Sequence, residues 1–404
     1  MARSDSDRAS ALSAGLLRYH RGLWVAFATV ALLAACAHSP TEPVKRPWFS
    51  ATSTNQWNEL ANDLIARNAV GQVGALRTLA YLNLAIHNAI VQSERERQAS
   101  DGAVAGAAAT VLSQLFAKDE AAVNARLQRE IQAIGSGQRA AFQAGVDLGR
   151  KVGDQIIAQA RTDRVAVAWT GTVPVGEGKW ASLVNPPAPP LAPALGNART
   201  FYMKAGDEFR APPPPTWGSA AFQVQITEVR TIADGRTNEQ IRIAQYWEDL
   251  TGSFAAGAWN VRARNAMAAK GLDEASTARA LAMMHMAGFD SIVACHDSKY
   301  TYWVPRPAQT DPKITLAVGV PNHPSYPANH SCISGTMGRV LDAQVPGSNG
   351  VFETMGKEAG ASRVYGGIHY QMDADAGDEI ASNIAARALQ AGPAKGQPYT
   401  PAGR

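Results

Sequence analysis

Apolar positions along this chain recur at helical rather than strand spacing. Leu79, Leu82, Ile86 and Ile90 lie three or four residues apart and predict the buried stripe of an early helix. Residues 103–134 and 137–161 continue in the same Ala-rich style, and alternating Val, Ile and Thr patterns are nearly absent. Residues 165–219 break the rhythm, with nine prolines between Pro186 and Pro215. Trp180, Phe201, Tyr202, Phe209 and Trp217 supply apolar anchors there, so the stretch reads as an ordered, extended crossing rather than a disordered linker. Helices resume near residue 220. Gly235 ends one, and Thr237 with Gln240 has the spacing of a capping box for the next. Gly271 and Asp273 separate a helix ending near Lys270 from one that starts near Glu274 and runs towards Lys299. Another starts close to His330, and a last one follows Asp373 with Ile380 and Ile384 on its inner face. No internal repeat, heptad run or nucleotide-binding glycine pattern is present. The pattern predicts a single all-α helical-bundle domain over residues 56–395 and a short tail, 396–404.

Composition narrows the partners more than the fold. The chain has 404 residues, 46% hydrophobic and 18% charged, enough for one large globular domain. Its formal charge is +4. Residues 1–36 hold four arginines and two aspartates, so the remainder carries 34 basic against 32 acidic side chains. That balance gives no basic footprint for nucleic acid.

Residues 1–36 read as a targeting leader. Arg18 and Arg21 precede a twelve-residue apolar run, Gly22 to Leu33, too short to span a bilayer as a helix. The run ends in Leu33-Ala34-Ala35-Cys36, which resembles a bacterial lipobox. That resemblance implies lipidation of Cys36, residues 37–55 as a tether, and a membrane contact through the lipid anchor. With Ala37 after the cysteine, it implies an outer-membrane lipoprotein facing the periplasm. The plainer alternative is a simple signal peptide with an incidental cysteine. In an oxidising compartment Cys295 and Cys332 are free to pair, or to stand as two separately buried thiols.

Chemistry concentrates in residues 299–373. Three blocks stand there: Lys299-x6-Arg306-Pro307, Pro327-Ala328-Asn329-His330, and Ser362-Arg363-x5-His369-x3-Asp373. A phosphate-like anion spreads negative charge over several oxygens, which a guanidinium fork and a compact ammonium neutralise; Lys299, Arg306 and Arg363 are the candidates. His369 and Asp373 are one helical turn apart. A carboxylate at one ring nitrogen fixes the tautomer and leaves the other nitrogen free as nucleophile or ligand. His330 follows a Pro-led turn, where it suits a general acid. Taken singly, each cation is more often a solvated surface charge, and each His-x3-Asp an ordinary helix pair.

Together the ordered blocks resemble those of the type 2 phosphatidic acid phosphatase and vanadium haloperoxidase superfamily. Asp297-Ser298-Lys299-Tyr300, residues 362–369 and the segment from Trp57 to Ile90 are similar to its bacterial haloperoxidase-like branch. The resemblance spans roughly residues 55–395. It implies an oxyanion clamp of Lys299, Arg306 and Arg363, with His369 as the residue that attacks phosphorus or bonds vanadate. Asp373 would orient it and His330 would serve as acid–base. His323, seven residues before His330, resembles the histidine of bromide-oxidising members; His296 is a rim candidate or a packing residue. His87 and His285, in Ala- and Met-rich helices, read as packing or surface residues with satisfied rings.

Two positions depart from the pattern. Ala328 stands where the family has Ser, and Asn329 where it has Gly, so a hydroxyl donor and a close backbone N–H are replaced. Asn329 offers an amide donor instead, and Ser325 or Ser331 is near enough in sequence to lean in. The resemblance implies a haloperoxidase-like enzyme using vanadate, halide and peroxide. An acid phosphatase hydrolysing a small anionic substrate, a phosphomonoester or lipid phosphate, through phospho-histidine needs the same residues and no metal. A lipoprotein that binds an oxyanion without turnover is the third reading.

Overall fold

A computed structural model describes residues 52–248 and 253–401, with side chains from residue 255 in the second stretch. The leader, the lipidation cysteine Cys36 and most of the predicted tether lie outside the described residues. Among these residues the chain is all-α. The helices are α1 (Ser53–Arg67), α2 (Gln72–Glu96), α3 (Ser100–Leu115), α4 (Glu120–Ala133), α5 (Ser136–Ala160), α6 (Ala220–Asp234) and α7 (Asn238–Glu248). After them come α8 (Ser253–Ala269), α9 (Glu274–Tyr302), the single turn α10 (Pro307–Thr310), α11 (Asn329–Gln344), α12 (Val351–Tyr365) and α13 (Gln371–Ala391).

Local chemistry sets these boundaries. Asp273 Oδ1 accepts from Ser276 N–H at 2.7 Å and opens α9. Thr237 and Gln240 exchange the two capping-box bonds, at 2.9 and 3.1 Å, before α7. Thr52 caps α1 through Asn55 N–H, so the first helix begins within the stretch expected to be tether. The expected helix over 103–134 is two helices, broken by a 3-10 turn at Ala117–Asp119. Asp373 lies inside the first turn of α13 rather than ahead of it.

The central element is α9. From Thr277 to Lys299 almost every side chain is buried, as expected of a helix apolar on all faces. α2 and α11 pack on it, and α3 pairs with α5 at very close range. A Cβ on Gly106 would lie 2.2 Å from the Val146 carbonyl, and one on Gly149 2.0 Å from that of Ala103. Only glycine permits that crossing. Cys295 of α9 and Cys332 of α11 form a disulfide, closing a loop of 37 residues that carries the whole of two of the three blocks. Replacing both cysteines with Ala is expected to cost about 4 kcal/mol on loop-entropy grounds. Chemical denaturation would read it as a lower midpoint; an unchanged midpoint would make the bridge dispensable to stability.

The Pro-rich crossing is anchored as its aromatics suggest. Trp180, Phe201 and Tyr202 are buried, whereas Trp217 is 40% exposed and rests tilted against Phe222, with ring centroids 5.0 Å apart. Asp290 of α9 receives the backbone N–H groups of Phe201 (2.8 Å), Tyr202 (2.7 Å) and Met203 (3.3 Å), fixing the crossing to the core. Further along, Leu191 N–H donates to the Asn322 carbonyl, and Asn322 Nδ2 donates back to Ala188 and Pro189. The crossing therefore forms one wall of the region around residue 323. The described part of the tail is docked, since Tyr399 and Asn88 exchange hydrogen bonds at 2.8 and 2.9 Å.

Candidate active site

Helix ends and one turn bring the three blocks together. α9 delivers Lys299, the turn into α10 delivers Arg306, the N-terminus of α11 delivers Asn329 and His330, and α12 and α13 deliver Arg363 and Asp373. All are buried. A cavity of about 570 Å³ opens over them, and Arg363, His369, His330, Asn329, His323 and His296 line it.

His369 and Asp373 form the expected dyad. The ring donates from Nδ1 to Asp373 Oδ2 at 2.8 Å, which leaves Nε2 with its lone pair. Asp373 Oδ2 also accepts from Tyr370 N–H (3.1 Å) and from the Ser325 hydroxyl, while Oδ1 is buried without a partner among the described residues. Burial, followed by the charges of Arg306 and Lys299, holds the His369 pKa well below its ordinary value, so the ring is neutral. Burial also pushes the Asp373 carboxyl up to about 6.

The three cations are not equivalent. Arg363 lines the cavity, donating from Nε to Ser362 Oγ at 2.9 Å and from Nη2 to the Ala244 carbonyl. Arg306 lies behind it. Its Nε donates to the His323 carbonyl (3.0 Å), and its Nη1 to the Ile368 carbonyl (2.8 Å) and to His369 Nε2 (2.9 Å). Lys299 is deeper still. All three ammonium hydrogens have acceptors: the carbonyls of Pro324 (2.9 Å), Ser325 (2.8 Å) and Pro327. Burial lowers both arginines to about 10, which leaves them charged at neutral pH.

His330 donates from Nε2 to the Trp247 carbonyl at 3.1 Å, so in the neutral ring Nδ1 is the acceptor. Burial and then Arg363 lower its pKa well below the usual value. His323 Nδ1 lies 3.1 Å from Arg306 Nη2, and its ring centroid is 5.7 Å from that of His296. Ala328 offers no side-chain cap, so no capping oxygen occupies the first-turn N–H groups of α11. Neither nearby serine replaces the missing one. The Ser325 hydroxyl is spent on Asp373, and Ser331 Oγ faces Gly360 of α12, where a Cβ would lie 2.4 Å from it. The two helix histidines divide: His87 bonds the Gln397 carbonyl, whereas His285 is fully buried with neither ring nitrogen partnered among the described residues.

Several site residues escape sequence reasoning. The outer wall comes from Gly71 to Gly74 at the start of α2, from Leu191 and Ala192, and from Gly319 to Pro321. Glu248 also lines the cavity; it accepts from Gly319 N–H, and its charge favours protonated Arg363. None belongs to a motif; only the prolines near residue 191 signal that the chain passes here.

The fold and this arrangement define the chain as an all-α protein of the vanadium-haloperoxidase fold. A bacterial vanadium-dependent iodoperoxidase superposes with a TM-score of 0.74 at 20% identity, covering 86% of this chain and 97% of that one. A bacterial vanadium-dependent chloroperoxidase in its holo form gives 0.63 at 14%, covering 79% and 91%. Its apo form gives 0.60 at 13%, covering 78% and 92%. At these identities the shared property is the fold. Neither a protein-family model nor a curated protein matches the chain.

Proposed function

We propose that the chain is a haloperoxidase-like enzyme that oxidises halide with peroxide at a vanadate held by His369. The observation that carries this reading is the neutral His369 with Asp373 on Nδ1 and its Nε2 lone pair beside a cavity lined by Arg363. The donor set fits a tetrahedral oxyanion: one ring nitrogen, one facing guanidinium, the N-terminus of α11, and two buried cations behind. Vanadate, when bound, supplies the centre at which peroxide is activated towards halide. Arg306 yields His369 Nε2 to the ligand, and Lys299 contributes charge rather than a donor. His330 holds its Nε2 proton on Trp247 and can take or release a second proton at Nδ1.

Phosphomonoester hydrolysis is the second reading, favoured by the apolar outer cavity, which has room for the alcohol part of an ester. One paired assay of the purified chain separates them: halide oxidation with vanadate and peroxide, and phosphate-ester hydrolysis. Hydrolysis blocked by vanadate, without halide oxidation, rejects the haloperoxidase. Tight oxyanion binding with neither activity leaves a binding protein.

Either reaction needs Asp373 ionised to support a developing imidazolium. With that carboxyl raised to about 6, turnover is expected to fall about tenfold per pH unit below 6. In Asp373→Asn the profile should lose this acid limb along with most of the rate. A limb that persists in the variant belongs to another group.

A further inference from the structure

α7 meets the core through very little. Of its 11 residues only Ala244 and Trp247 are buried. Yet two of its backbone carbonyls reach the site. That of Ala244 accepts from Arg363 Nη2, and that of Trp247 accepts from His330 Nε2 at 3.1 Å. A carbonyl can only accept, so the second bond holds the Nε2 proton of His330 and leaves Nδ1 as the acceptor. Where these carbonyls stand depends on what fastens α7.

The Trp247 side chain is that fastening, and it is 2% exposed. Its indole N–H donates to Glu358 Oε1 of α12 at 2.9 Å, and its ring stacks on Trp259 of α8, with centroids 6.5 Å apart. The Trp259 indole N–H donates in turn to Ser334 Oγ at 3.0 Å. Ser334 is one turn beyond His330 on α11 and shares its face. The Arg262 guanidinium lies over both indoles, 5.4 and 5.6 Å from their centroids. The two tryptophans thus close a circuit from α7 through α8 to the turn of α11 that carries His330. Buried indoles find such partners in many cores. What sets Trp247 apart is that its own carbonyl bonds the site histidine.

Resting on the reading of His330 as acid–base and Arg363 as clamp, we propose that Trp247 is a positioning residue for both. Its indole fixes α7 where the Ala244 carbonyl steers Arg363 and the Trp247 carbonyl sets the His330 tautomer. Trp247 does not line the cavity, so it acts through these two side chains and not on a ligand. If α7 shifts, the neutral His330 ring divides between its tautomers, and only one of them presents an acceptor at Nδ1.

The test is Trp247→Phe in the full chain. Phenylalanine keeps the backbone carbonyl and a ring in the stack but loses the indole bond. Trp57→Phe is the matched control, because the Trp57 indole is also fully buried and donates to a glutamate, Glu130, at 3.3 Å. Nitrogen-15 NMR of histidine-labelled protein reads the tautomer without any turnover, with the His330 signals assigned by their absence from His330→Ala. The unaltered chain and Trp57→Phe are expected to show one Nε2–H form, and Trp247→Phe to show both forms. Turnover of Trp247→Phe in the active arm of the paired assay should fall about 10–100-fold, with KM within about 3-fold. A single Nε2–H form in Trp247→Phe would overturn the positioning role, as would an equal change in Trp57→Phe. Both forms in Trp247→Phe, with neither reaction detectable in the unaltered chain, would keep the positioning role and reject the proposed function.

Discussion

Replacing His369 with Ala should abolish turnover, by on the order of 10^4-fold or more, whichever of the two reactions the chain performs. The size follows from what the ring does alone. Its Nε2 presents a lone pair of fixed direction at the cavity, because Asp373 pins the tautomer from the opposite side. Removing it also strips Asp373 of one of its three donors and Arg306 Nη1 of one of two acceptors. The fold should tolerate the change, since His369 sits between α12 and α13 and not in the core around α9. The decisive measurement is turnover in whichever arm of the paired assay is active, alongside thermal unfolding. A variant that unfolds normally and keeps even a tenth of the rate would remove His369 from the chemistry.

Much of this was legible in the sequence because the relevant forces are local. Apolar spacing marks α2, and Asp273, Thr237 and Gln240 mark helix starts through bonds that span three residues. His369 and Asp373 are visible as a pair because one helical turn joins them. What was hidden depends on residues far apart in the chain. His330 is oriented by the carbonyl of Trp247, a backbone atom that no side-chain pattern reports. The orientation of Asn329 depends on His296, which depends in turn on Ala192 in the Pro-rich crossing. The outer cavity is assembled from segments that share no motif. Motif spacing identifies which residues meet, whereas long-range contacts decide whether each presents a donor, an acceptor or only its charge.

Lys299 makes that distinction measurable, and Lys299→Met is expected to cost about 3–5 kcal/mol of folding stability. A lysine in an oxyanion motif reads as a clamp residue whose loss weakens ligand binding and little else. Here its ammonium is fully buried and its three hydrogens are shared among the carbonyls of Pro324, Ser325 and Pro327. Those carbonyls belong to the turn that leads into α11, so the lysine ties the end of α9 to the segment that positions Asn329 and His330. Methionine fills the volume but takes the ammonium hydrogens from three buried carbonyls, of which Pro324 keeps only the His323 ring nitrogen at 3.0 Å, and each loss carries a desolvation penalty. Lys299→Arg should not rescue it, because a planar fork cannot point three hydrogens at carbonyls gathered around one atom. Urea unfolding without added anion isolates this effect from ligand binding. A loss below about 1 kcal/mol, with anion affinity alone impaired, would return Lys299 to the clamp and make the turn self-supporting.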